Sequence, residues 1–385
     1  MAISQDQAPA ATTIEQTEKP SPETGAAQTP PTAEPVKEAD LGLPSSAADG
    51  LIKKPFANPV DTAKATPRPE LTEDQKTKYD AVLKSVTEWT TVPTTSAKDA
   101  PTEPITDDER MFLTRECLLR YLRATKWNAT EATTRLLNTL TWRREYGLEK
   151  HTADYISVEN ETGKQVILGY DIESRPCLYL NPSKQNTERS DRQVEHLVFM
   201  LERLIDLMGP DQETLTLLVN FAQTSTGQNA SLSQGKQTLN ILQYHYPERL
   251  GRALVINIPF VIWGFLKLIT PFIDPLTREK LKFNEGLRQH VPPSQLMKET
   301  GGDVEFEYDH AEYWPALNKL ADKRRAECRQ RWVDGGKMIG EYENYLRGGP
   351  SMGRAKSEAK SLPLEEKVAS LSVDDAQTNE QAQTA

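Results

Sequence analysis

PFVIWGFLKLITPFI, residues 259–273, is the stretch on which the reading of this chain turns, because Lys267 is its one charged residue. A helix that crosses a bilayer needs about 20 apolar residues, so the segment is too short to span a membrane. A helix apolar on nearly every side is either an ordinary buried core helix or a cover over something apolar that it is able to leave. The residues alone leave both readings open.

The sequence on either side is more specific. Downstream lies DPLTREK, residues 274–280, with Asp274 at an N-cap and Pro275 at the first helical position. Thr277 then falls in the first turn and Lys280 at i+3 on the same face, where donors and positive charge converge as a phosphate requires. The plain alternative is a common Asp-Pro cap beside a surface lysine. Upstream, a strand over 252–258 follows HYPERLG, residues 245–251, which places Glu248 and Arg249 at a chain reversal. As a surface ion pair they contribute at most about 1 kcal/mol. As a site, a carboxylate accepts hydrogen bonds from ring hydroxyls while a guanidinium balances a neighbouring phosphate.

Further outward, strands and helices alternate. Gln165–Asp171 and Cys177–Leu180 read as strands, Val194–Met208 as an amphipathic helix, Leu215–Phe221 as a strand and Ser231–Tyr246 as a helix. This order predicts an α/β fold with a mixed, partly parallel sheet over residues 151–305. Before it, Met111, Cys117, Leu118, Tyr121 and Leu122 share one helical face. Asn128 and Glu131 then form a capping-box pattern, and Gly147 closes the second helix, so 76–150 reads as a small helical lobe. Residues 306–346 read as a C-terminal helical extension.

The two ends have little to bury. Residues 1–75 hold 11 of the 26 prolines and a single aromatic, Phe56, so they are expected to be a disordered tail. Residues 347–385 read as a second tail, a linker plus a weak helix with an apolar island at 362–373. Of the net charge of −10, the first tail carries −6 and the second −1, which leaves −3 for the body. The acidity therefore belongs to the tails, and no basic block suggests nucleic acid.

Cys117, Cys177 and Cys328 are widely spaced, which fits neither a disulfide framework nor a zinc site, and no secretory signal is expected, since residues 1–30 hold no apolar h-region. No nucleophile elbow is read, HExxH and GxGxxG are absent and the five histidines are scattered. Gly227–Lys236 resembles a P-loop only loosely, with wrong glycine spacing and Gln237 in place of Ser or Thr. No enzyme and no cofactor is expected.

CLLRYLRATKW (117–127), HYPERLG, INIPFVIWGFLKLITPFIDPLTREKL (256–281) and the Gly301–Gly302 pair, in this order, resemble the CRAL-TRIO lipid-binding family over about residues 105–335. The resemblance is nearest to the fungal secretory phosphatidylinositol transfer proteins. It implies a hydrophobic pocket floored by the sheet and closed by a mobile gating helix, here Phe260, Val261, Ile262, Trp263, Phe265, Leu266, Leu268 and Ile269. It also implies headgroup contacts from Glu248, Arg249, Thr277, Lys280 and Lys126, with Asp274 alongside. Thr125 stands where relatives carry Arg, so one phosphate contact is weakened or replaced.

Members that also carry phosphatidylcholine place Ser and Thr on the first central strand, where this chain has Leu215, Leu217 and Val219 on one face. An aliphatic wall leaves a choline phosphate without partners. The expected cargo is therefore phosphatidylinositol together with a second hydrophobic ligand, a sterol before phosphatidylcholine. What the resemblance implies is a cytoplasmic protein touching membranes transiently, at the endoplasmic reticulum, lipid droplets or plasma membrane. Two rivals share this fold: a scaffold that presents phosphatidylinositol to a kinase, and a carrier of a neutral hydrophobe, for which a phosphate site has no use.

Overall fold

The computed structural model describes residues 41–361, apart from 226, 227, 229, 230 and 274. A four-helix lobe comes first. Helix α1 (Glu73–Thr87) starts at a Thr72–Gln75 capping box, and a small antiparallel hairpin, β1 (Thr91–Pro93) with β2 (Thr102–Pro104), links it to α2 (Asp107–Phe112). Helix α3 (Arg115–Ala124) begins where Thr114 accepts from the Cys117 amide, and α4 (Ala129–Tyr146) where Asn128 accepts from that of Glu131. Gly147, at φ 70°, ends α4 in the left-handed conformation that glycine adopts without steric cost. Val82, Val86, Leu118, Leu122, Leu136 and Leu140 form the lobe's core, which Ile339 of the C-terminal region completes.

After α5 (Ala153–Asn160) the sheet begins. Its strands are β3 (Gln165–Tyr170), β4 (Pro176–Leu180), β5 (Leu215–Asn220), β6 (Leu250–Ile256) and β7 (Leu281–Phe283), hydrogen-bonded in that order. β3 and β4 are antiparallel and the remaining neighbours are parallel, as mixed α/β sheets permit. The parallel strands are connected through α6 (Arg192–Asp206), α7 (Leu232–His245) and a longer excursion containing α8 (Phe260–Ile269) and α9 (Pro275–Glu279). Ser231 and Gln234 cap α7, so the P-loop look-alike ends in an ordinary helix start. α10 (His310–Asp334) packs against α5 and α6, and short helices α11 (Glu343–Leu346) and α12 (Arg354–Ser361) follow. The main core lies around Leu168, Leu178, Tyr179, Leu204, Leu218, Leu254 and Leu317.

Three expectations need correction. Residues 41–75 are not a disordered tail: Phe56 is 2 % exposed in the main core, and Ile52 exchanges backbone hydrogen bonds with Glu305 and Glu307 at 2.8 and 3.0 Å. The segment is too poor in apolar residues to fold alone, but its one aromatic finds a partner surface supplied by the rest of the chain. The second tail likewise begins later than residue 347, because the Arg354 amide donates to Glu341 at 2.7 Å at the start of α12. Lys280 is not part of the Pro275 helix, since α9 ends at Glu279 and the chain turns directly into β7. Residues 1–40 and the apolar island at 362–373 lie outside the described residues.

Candidate functional site

The turn between α7 and β6 is fastened at almost every side chain. His245 ends α7 with its ring stacked on Trp142 of α4, centroids 4.1 Å apart and planes within 6°. Its Nδ1 meets the Thr139 hydroxyl at 3.1 Å, and its carbonyl accepts from the Tyr121 hydroxyl at 3.1 Å. Burial, then the neighbouring Arg135 and Arg143, push the His245 imidazole down to about 4, so it is neutral at ordinary pH. Tyr246 donates to Glu202 at 2.7 Å, and Arg143 grips the same carboxylate through two bonds of 2.8 and 3.1 Å. Gly251 lets Arg175 pass close by: a Cβ there would sit 2.3 Å from the Arg175 Nε.

Glu248 is the exception. It holds a left-handed φ of 59°, which costs a non-glycine residue free energy and persists only where neighbours determine it. Its carboxylate lies 4.0 Å from the Lys280 ammonium, and both side chains are about one quarter exposed. The sheet makes this pairing. Ala253 of β6 pairs with Leu281 of β7 and its amide donates to the Lys280 carbonyl at 2.9 Å, so the entry ends of two adjacent parallel strands carry the acid and the base. Thr277, half-buried in α9, joins through its carbonyl, which accepts from the Lys280 amide at 3.2 Å. The result is an acceptor and a cation that face each other without close contact. A group with hydroxyls and a phosphate can engage both.

Other expected site residues are distributed differently. Arg249 turns away from Glu248: it is 8 % exposed, donates to the Glu213 carbonyl at 3.0 Å, and lies 3.9 Å from the Glu343 carboxylate. Burial, then the Arg120 charge, lower it to about 10, and the expectation of a headgroup contact from Arg249 is corrected to that of an internal anchor. Lys126 stands exposed in the left-handed bend between α3 and α4, with φ 51°, and among the described residues no ion pair joins it to the Glu248–Lys280 pair. Thr125 is inward-facing, its hydroxyl bonded to the carbonyl of Tyr121 at 2.9 Å, so it caps α3 and is no substitute phosphate ligand. Asp274 lies outside the described residues.

On β5, Leu217 and Val219 are half-buried while Leu215 is 3 % exposed within the core. Thr216, the hydroxyl of this strand, is on the opposite face and donates to Asp171 at 2.8 Å. In α8, Phe260 is 91 % exposed at the first position, whereas Ile262 is buried and the Trp263 ring packs 5.1 Å from that of Phe283. The side chains of Val261, Phe265, Leu266, Leu268 and Ile269 lie outside the described residues.

Sequence reasoning missed the anchoring residues Tyr121, Thr139, Trp142, Glu202, Glu213 and Glu343. They are remote in the chain and carry no local signal. Among the described residues no helix is long and apolar enough to cross a membrane, and no group of three His, Cys, Asp or Glu residues is placed to hold a metal ion.

Comparison with known proteins gives this geometry its context. A model described as CRAL/TRIO, N-terminal domain, matches residues 78–138, and one described as CRAL/TRIO domain matches residues 160–302. A CRAL-TRIO domain-containing protein of Schizosaccharomyces pombe is 51 % identical over 302 residues, which cover 78 % of this chain but 30 % of that protein, so this chain spans under a third of its length. The phosphatidylinositol transfer protein PDR17 of Saccharomyces cerevisiae is 40 % identical over 296 residues, 72 % of this chain and 85 % of that one. The crystal structure of Sfh5 matches with a TM-score of 0.43 at 16 % identity, over 57 % of this chain and 84 % of that chain. The two family models fall in sequence order on the helical lobe and on the sheet domain, and together with the similarity to PDR17 they show that the chain belongs to the CRAL-TRIO family.

Proposed function

We propose that this protein binds phosphatidylinositol, holding its headgroup at Glu248 and Lys280, and exchanges the unaltered lipid between membranes. The observation that carries the reading is the open pair of Glu248 and Lys280, 4.0 Å apart at the entry ends of β6 and β7. The carboxylate takes hydroxyls of the inositol ring, and the ammonium takes the phosphate together with Thr277. The names of relatives described as phosphatidylinositol transfer proteins, PDR17 among them, support the same cargo.

α8 acts as the gate. Phe260, almost fully exposed, touches the membrane surface first, where burying a phenylalanine contributes about 1.5–3 kcal/mol. Lipid entry then favours the closed state through its higher affinity for it. On β5 the half-buried Leu217 and Val219 present aliphatic surface and the Thr216 hydroxyl is spent on Asp171, which supports a second, weakly polar ligand such as a sterol over phosphatidylcholine. Activity of this kind serves phospholipid and sterol homeostasis, at the endoplasmic reticulum, lipid droplets or plasma membrane.

The test is vesicle-to-vesicle transfer of labelled phosphatidylinositol, phosphatidylcholine and sterol by wild type, Glu248→Ala and Lys280→Ala. Selective loss of phosphatidylinositol transfer in both variants is expected. Undiminished transfer in both overturns the headgroup assignment, and rapid phosphatidylcholine transfer by wild type overturns the reading of the aliphatic wall.

A further inference from the structure

Arg249 anchors the turn that presents Glu248, and it does so inside a cluster of positive charge. Arg120, 3 % exposed, and Arg347, its side chain 10 % exposed, share its surroundings. Two buried carboxylates serve these cations. Glu213 takes Arg120 at 3.0 Å and Arg123 at 2.9 Å, while Glu343 takes Arg120 at 2.7 Å, Arg347 at 2.9 Å and Arg249 at 3.9 Å. Glu343 is fixed in turn: it accepts from the Thr114 hydroxyl at 2.9 Å, and its amide donates to Glu116 at 2.7 Å. Burial opposes its ionisation, but Arg120, Arg347 and Arg249 outweigh burial and hold its carboxyl well below the ordinary range.

Among these contacts, Glu343 alone supplies Arg249 with a side-chain carboxylate; Glu213 offers it a backbone carbonyl. A buried guanidinium that loses its carboxylate is driven toward water. Arg249 shares a peptide bond with Glu248, and a non-glycine residue at φ 59° keeps that conformation only while its neighbours are held. We infer that Glu343, on the first turn of α11, is a positioning residue for the headgroup site: by pairing with Arg249 it keeps Glu248 turned toward Lys280. The C-terminal extension is thus part of the lipid site without touching lipid. This rests on reading Glu248 and Lys280 as the headgroup pair.

The test is a double-mutant cycle in the full chain, with Glu343→Gln and Glu248→Gln singly and together. It reads equilibrium binding of fluorescent phosphatidylinositol and hydrogen exchange over residues 245–251. Each single change is expected to weaken binding about tenfold, and the pair also about tenfold rather than a hundredfold, because coupled residues are not additive. Exchange in the turn accelerates in Glu343→Gln while β3 and β4 keep their wild-type rates. The milder Glu343→Asp, which retains the charge but shortens its reach, shows the same pattern at about threefold and serves if Glu343→Gln does not fold.

Additive losses in the double variant, acceleration spread evenly over the sheet, or unchanged binding in both Glu343 variants overturns the proposal. A Glu248→Gln protein that binds phosphatidylinositol as wild type does overturns instead the headgroup reading on which it rests.

Discussion

The turn at residues 245–251 and helix α8 lie close in sequence and are built on opposite principles. In the turn, His245 is stacked on Trp142, Tyr246 is bonded to Glu202, and Arg249 is sunk among buried charges, so polar contacts hold the backbone from both sides. α8 instead opens with Phe260 in solvent and Ile262 buried, an apolar element with one foot outside. Directional bonds fix a geometry, whereas non-directional apolar contact can be exchanged for another apolar surface at small net cost. The proposed carrier function needs both: a headgroup site that keeps its shape, and a gate that can trade protein for membrane.

Lys280→Ala should break this contrast most severely. It removes the cation proposed to hold the lipid phosphate and is expected to lower phosphatidylinositol transfer about 100-fold, in line with loss of one partner of a charge pair formed with the ligand. Sterol transfer should change little, and a parallel loss of both cargoes would assign the effect to the gate. Phe260→Asp should act on the other side of the comparison. Vesicle association and transfer rate are expected to fall at least about tenfold, from the burial energy of one phenylalanine, with phosphatidylinositol affinity in solution preserved. Equal loss of affinity in solution would contradict a surface role for this residue.

Acid should probe the turn. The folded protein holds the His245 imidazole down to about 4, below its unfolded value of 6.5, so between these values the unfolded chain binds the extra proton. The contribution of neutral His245 is therefore complete above pH 6.5 and is lost as the pH falls toward 4. Urea unfolding across this window should show wild type losing stability faster than His245→Gln; parallel curves would sink the stacking account. The smallest effect belongs to Tyr246→Phe, which removes one hydrogen bond to Glu202. It should cost about 1 kcal/mol, or roughly 2 °C in Tm, and leave transfer unchanged.

Sequence patterning carried the architecture a long way for physical reasons. Period-two and helical spacing located β3 to β6, α6 and α7, and Pro275 and Gly147 marked helix ends by conformational restriction or freedom alone. β7, three residues long directly after a short helix, offers no period to detect. Phe56 misled for a related reason, since its own segment could not show that the partner surface lay in the main core, built by residues far along the chain. At the site, Glu248 and Lys280 were readable as residue types. Which of the neighbours Glu248 and Arg249 faces Lys280 was not, because a left-handed φ and a buried cluster reaching to Glu343 decide it. Contacts between residues so far apart leave no mark in a single sequence.

Under the proposed function, Glu248 and Lys280 hold an inositol phosphate headgroup while the apolar remainder of the site accepts any suitable hydrophobe. Mass spectrometry of lipids extracted from purified wild-type protein and from Lys280→Ala tests it directly. Phosphatidylinositol in the wild type, and its loss from the variant with a sterol or similar hydrophobe retained, is the predicted result; phosphatidylinositol missing from the wild type, or equally abundant in both, would contradict it.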